Sequence, residues 1–174
     1  MPSITIHLAI ANEYIKKHPK EIKDIQAFHE GSISPDLDKN FEKILNADMK
    51  LFSHYYIEDS GNIDFKKFLN DKVVDINNDF WKGYYLHLIA DEEFYMNDFK
   101  DEYNRACSEG IYLYSDYQSL GKWLLKKYHI DKTETFFTKR VLFLAQPTSQ
   151  KTTYIKKRKL KKFIKKISKT KLSQ

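Results

Sequence analysis

Gly83-Tyr-Tyr-Leu-His87-Leu-Ile-Ala-Asp91-Glu-Glu-Phe-Tyr95 is the stretch on which the reading of this chain turns. It contains no proline, its one glycine opens it, and its apolar residues recur at helical spacing. His87 and Asp91 are four residues apart, just over one turn, so imidazole and carboxylate project from one face. Phe80, Tyr84, Leu88 and Tyr95 fall on that same face at about 100° per residue. Two polar side chains thus point where the helix is most apolar. A buried carboxylate is costly without a partner. Either a hydrogen-bonded His–Asp pair in the core or a metal ion taking both side chains meets that condition.

Helical spacing extends outward from this segment, and only five glycines and four prolines punctuate the 174 residues. Helices are predicted over residues 4–17, ended by His18-Pro19, and over 21–29, stopping at Gly31. A loop over 32–36 follows, because Pro35 pushes Ser34 out of helical geometry. Further helices are predicted over 38–47, 64–68, 73–100 (broken near Asn77-Asn78), 101–107, 116–128 and 132–144. Neither internal repeats nor the alternation of a sheet are found. The expected architecture is an all-α, single-domain helical bundle over residues 1–147, followed by a basic amphipathic tail over 148–174.

A hydrophobic content of 41%, with 12 Tyr and 12 Phe, supplies a proper core for one domain of this length. No apolar run approaches the roughly 18 residues of a bilayer span. The first residues lack the basic flank and apolar core of a secretory signal. Cys107 is alone, so no intramolecular disulfide forms, and a cytoplasmic location is the default expectation.

The net charge of +6 conceals two halves. Residues 151–174 carry 11 Lys+Arg and no acid; 30 less 11 leaves 19 basic against 24 acidic side chains before them, a net of −5. Within the tail Leu160, Phe163, Ile164 and Ile167 lie at i, i+3, i+4 and i+7 between lysines. Such a helix either packs its stripe on the acidic body, or lies on an anionic membrane from the cytoplasmic side, or meets nucleic acid.

Three of the six histidines stand in apolar settings: His7 among Ile4, Ile6, Leu8 and Ile10, His54 in Leu-Phe-Ser-His-Tyr-Tyr, and His87. His18, His29 and His129 read as surface or capping residues. Asp36 follows a rigid Ser-Pro pair, where a helix N-cap is the plainer explanation. Taken together, Asp36, His54, His87 and Asp91 form a mixed nitrogen and oxygen set that suits a first-row divalent ion, and the lack of thiolates rules out a cysteine-type structural zinc site. With His7 nearby, Asp91 could bridge to a second ion; two such ions activate water and neutralise phosphoryl oxygens.

In order and local context these residues resemble the zinc-dependent phospholipase C family, in its compact bacterial, phospholipase C/single-strand nuclease-like form. The shared pattern is Thr-x-His (Thr5 to His7), Gly-x-Ile-x-Pro-Asp (Gly31 to Asp36), Ser-His-Tyr (Ser53 to Tyr55) and Gly-Tyr-x-x-His-x-x-x-Asp (Gly83 to Asp91). It covers roughly residues 1–125. The resemblance implies one zinc on Asp36, His54, His87 and Asp91, another on His7 and Asp91, and hydrolysis of a phosphoester or phospholipid by a metal-activated water, with Asp36 or Asp91 accepting its proton. Iron or manganese would suit the same ligands. The chain departs from the secreted phospholipases in lacking their N-terminal tryptophan ligand and their downstream His…His-x-x-x-Glu cluster, since only His129 lies beyond Asp91.

Two other enzyme classes fit less well. The HD phosphohydrolases are also helical, but their adjacent His-Asp pair is absent here. Cys107 has no histidine that sequence can place beside it for nucleophilic catalysis. The non-enzymatic alternative is a helical scaffold whose basic tail binds membrane or nucleic acid. Trp81, Tyr84, Tyr85, Phe94 and Tyr95 are either core or the lining of a substrate cleft.

Overall fold

A computed structural model describes residues 3–37, 53–58, 60–110, 113–131 and 154–172. Among them seven α-helices follow one another without a strand, and an isolated antiparallel bridge joins Tyr56 to Ile63. The chain is all-α. Helices expected over 38–47 and 132–144 lie outside the described residues. No helix among those described is long and apolar enough to cross a membrane.

Helix α1 (Ile4–Lys17) buries Ile4, Ile6, Leu8, Ala9, Ile10, Ala11 and Tyr14. A helix apolar on most sides is an interior element, and α1 accordingly touches several others. Helix α2 (Ile25–Ile33) differs from expectation at both ends. It starts later, where the Asp24 carboxylate accepts from Ala27 N at 2.9 Å and caps it. It also runs straight through Gly31 instead of stopping there. A Cβ at Gly31 would lie 1.9 Å from the carbonyl oxygen of Phe80, so this glycine serves close helix contact rather than termination. Ser34 keeps helical dihedrals (φ −56°, ψ −40°) despite preceding a proline, and a 3₁₀ turn over Ser34–Asp36 replaces the expected loop.

A turn closed by Gly61 (φ +68°) leads to α3 (Phe65–Leu69), capped by Asp64. Helix α4 (Asp79–Glu92) begins at the predicted break, where Asn78 caps it by accepting from Phe80 N at 2.9 Å. It gives way to a π-helical stretch, Glu93–Asp98, and then to α5 (Lys100–Ser108) and α6 (Tyr114–Lys127). Helices α2 and α4 form the most extensive pair. They cross on glycine from both sides, because a Cβ at Gly83 would meet the Phe28 carbonyl oxygen at 2.1 Å.

The tail helix α7 (Lys157–Ile167) packs into this body, against α1 and α4. Leu160, Phe163, Ile164 and Ile167 are all buried in the main core, where Phe163 meets the rings of Phe94 and Phe99 at 5.6 Å each. Asp116, itself buried, accepts from the backbone N–H groups of Tyr154 and Ile155 at 2.7 and 2.6 Å. On one flank Lys159 pairs with Glu102, and Lys166 with Glu93 and Asp98. The apolar stripe therefore lies on the acidic body, and the lysines face outward. A smaller cluster of Ile63, Phe68 and Leu88, ringed by Tyr55, Tyr56, Trp81 and Tyr84, packs on the other side of α4.

Candidate metal centre

Five side chains from four segments of the chain converge at the crossing of α1, α2 and α4. His7 comes from the first turns of α1, Asp36 from the 3₁₀ turn after α2, and His87 and Asp91 from successive turns of α4. His54 arrives on a loop whose next residue, Tyr55, has a left-handed backbone (φ +53°). A non-glycine residue rarely adopts that conformation, and packing must hold it. Here the Tyr55 hydroxyl donates to Asp71 Oδ2 at 3.0 Å and its ring meets Phe68 edge-on.

All five residues are buried; Asp36 is the most exposed at 8%, and Asp91 is at 0%. His7 Nε2 lies 3.3 Å from Asp91 Oδ1 and 3.9 Å from Asp36 Oδ2. His54 Nε2 lies 3.5 Å from Asp36 Oδ1 and 3.6 Å from Asp91 Oδ2, and His87 Nε2 is 3.7 Å from Asp91 Oδ2. These separations exceed the 2.7–3.2 Å range of an N–H···O hydrogen bond. The three Nε2 atoms, Asp36 Oδ1 and Asp91 Oδ1 have no hydrogen-bond partner among the described residues. A core hydrogen-bonded His–Asp pair would close those gaps. Ligands held about 2.0–2.1 Å from a tetrahedral zinc instead stand roughly 3.3 Å apart, close to what is seen. Donor atoms of His7, Asp36 and His87 lie within 4.8 Å of one another, as do those of His54, His87 and Asp91.

Outer contacts fix which nitrogen faces inward. His87 Nδ1 donates to the Ser32 carbonyl of α2 at 2.9 Å, leaving the Nε2 lone pair for the centre when the ring is neutral. His54 Nδ1 is 2.8 Å from Ser53 Oγ, and the Tyr84 hydroxyl donates to the Ser53 carbonyl. His7 and His87 stack with centroids 3.8 Å apart.

The electrostatics follow from two carboxylates and three imidazoles in one buried space. Burial works to raise the pKa of Asp91, but the charge of His87 and the nearness of the His7 ring outweigh it and hold the carboxyl well below its ordinary value. Asp36 is lowered likewise against burial, with His54 the strongest of the opposing contacts. His7 is pushed down by burial and by His87. Burial would also push His87 down, yet Asp91 beside it raises it. The surroundings thus favour the ionised form of both carboxylates despite burial, the form in which they would ligate a divalent cation.

Other sequence readings fare variously. His18 does cap α1, and His129 is exposed with φ +52°. His29, expected at the surface, is buried and donates from Nε2 to Asn12 Oδ1 at 2.6 Å; its flanking Glu30 disguised a position that faces α1. Cys107 is exposed at the end of α5. Phe94 is core, and Trp81, Tyr84 and Tyr85 pack with the smaller cluster. Sequence reasoning missed Tyr56, whose hydroxyl reaches Asp91 Oδ2 at 3.5 Å and whose ring stacks on His54 at 5.5 Å. Its place directly after Ser-His-Tyr was the available signal. Compared with known proteins, the chain matches no protein-family model, no curated protein and no solved structure.

Proposed function

We propose that this protein is a divalent-metal-dependent phosphoesterase, zinc being the preferred ion, built on a helical frame like that of the zinc-dependent phospholipases C. One observation carries the reading: five buried ligand atoms on His7, Asp36, His54, His87 and Asp91 face one another at 3.3–3.9 Å or stand without partners. Their overlapping triads offer room for one or two ions, and iron or manganese would suit the same donors. A bound ion would lower the pKa of a water to roughly 7 and offset phosphoryl charge.

The residues themselves divide the work. His87 and His54, oriented through Nδ1 by Ser32 and Ser53, present Nε2 inward. Asp91, fully enclosed, holds charge at the centre. We assign the acceptance of a proton from the attacking water to Asp36 or Asp91, and the greater exposure of Asp36 favours it. Generic phosphodiesters, phosphomonoesters and short-chain phospholipids test the reading. Turnover should vanish with chelator and in the Asp36→Ala and His54→Ala variants; turnover persisting in both variants would show that the site is elsewhere.

The scaffold alternative takes the basic tail as the surface that binds membrane or nucleic acid. With its stripe packed in the core, the tail retains only its lysines for an anionic membrane or nucleic acid. We therefore assign it a supporting role, electrostatic docking of a cytoplasmic enzyme on an anionic lipid surface.

A further inference from the structure

A cleft of about 370 Å³ adjoins the centre, lined by Tyr56, Tyr95, Met96, Lys100, Tyr103 and Asn104. Tyr56 connects the two: the side chain that lines the cleft is the one whose hydroxyl approaches Asp91 and whose ring covers His54. Tyr95 and Met96 reach the cleft from the π-helical stretch that begins two residues after Asp91. A π turn inserts extra backbone into a helix, and such turns recur at functional sites. Tyr95 and Tyr103 meet edge to face at 4.8 Å, and the Tyr95 hydroxyl is buried without a partner among the described residues. Lys100 is exposed at the start of α5 and is the one cation of the lining among the described residues.

Taking the metal centre as assigned above, we propose that this cleft selects the substrate's organic group: a small planar apolar substituent, aryl in kind, with its phosphate directed past Tyr56 to the ligands. Three tyrosine rings and a methionine favour a flat apolar group. The volume suits a small molecule. Lys100 draws the anionic ester to the mouth.

Phenylphosphonate and methylphosphonate, which carry the same anion and cannot be hydrolysed, separate ring recognition from metal and charge. Calorimetric titration of the zinc-loaded full chain should show phenylphosphonate bound about fivefold more tightly. Tyr103→Ala should abolish that preference and Tyr103→Phe should keep it; Tyr103 is 39% exposed, so its truncation leaves the core whole. Lys100→Met should weaken both ligands about threefold and leave the preference intact. Zinc content should be unchanged in all three variants. A zinc-loaded protein that binds both phosphonates equally, binds neither, or keeps its preference without the Tyr103 ring overturns the cleft assignment and leaves the metal centre standing. A chain that takes up no zinc overturns the centre, and the cleft assignment falls with it unless the ring preference and its loss in Tyr103→Ala persist.

Discussion

His87 does two jobs with one ring: its Nδ1 ties α4 to the Ser32 carbonyl of α2, while its Nε2 faces Asp91. Removing the ring therefore has a structural cost apart from any metal. His87→Ala leaves the buried Ser32 carbonyl without this donor, at about 2 kcal/mol. Urea unfolding of wild type and variant, both in chelator, should differ by that amount, and zinc should stabilise only the wild type. Equal stability in chelator would mean that the Nδ1 contact does not matter. At this scale much was legible. The i, i+4 spacing put His87 and Asp91 on one face, and local context singled out His7 and His54. For Tyr56 the sequence offered only its place after Ser-His-Tyr, because its approach to Asp91 depends on the left-handed turn at Tyr55, which no periodicity announces.

Helices α2 and α4 pack together beside the centre, and their closeness rests on Gly31 and Gly83. Gly83→Ala places a methyl group 2.1 Å from the Phe28 carbonyl oxygen, a clash with backbone that no rotamer relieves. The helices must separate, at about 3 kcal/mol, and Ser32 then draws away from His87. The variant should lose both stability and tight zinc binding; thermal unfolding with and without zinc checks it, and an unaltered zinc shift would contradict the account. Sequence marked Gly31 as a stop because glycine usually ends helices, and only the neighbouring helix explains its interior place.

The same pair is clamped at its outer end. Asp79 Oδ2 accepts from Lys23 N and Asp24 N at 2.8 Å each, and Asp79 Oδ1 from Lys82. Burial opposes ionisation of Asp79, yet these donors together hold its pKa below the ordinary value. A lowered carboxylate pKa contributes stability above the unfolded value, near 4, that is lost as pH falls toward the folded value. Asp79→Asn should thus be less stable than wild type by about 1 kcal/mol at pH 7, with the gap closing below about pH 4. Denaturation at pH 7 and pH 3 tests it; a gap that widens in acid would reverse the sign.

At the scale of the whole molecule, the tail is structural. Its spacing foretold an apolar stripe but not the surface that would cover it. That surface is assembled from Phe94, Phe99 and α1, far away in sequence. Burial of Leu160, Phe163, Ile164 and Ile167 contributes on the order of 8 kcal/mol, comparable with the total stability of about 5–15 kcal/mol of a typical domain. A chain lacking residues 154–172 should therefore fail to fold, seen as loss of a cooperative thermal transition. A folded truncated body would contradict this. Tests of anionic-lipid binding accordingly need charge reversal at exposed lysines such as Lys161 and Lys165, in place of truncation.

The central claim is that a divalent ion belongs among His7, Asp36, His54, His87 and Asp91. Elemental analysis of untagged full-length protein after zinc reconstitution and exhaustive dialysis tests it most directly. The account predicts at least about one equivalent of zinc, lost in Asp91→Ala and His87→Ala; less than about a tenth of an equivalent of any transition metal in the wild type, or full retention in both variants, would contradict it.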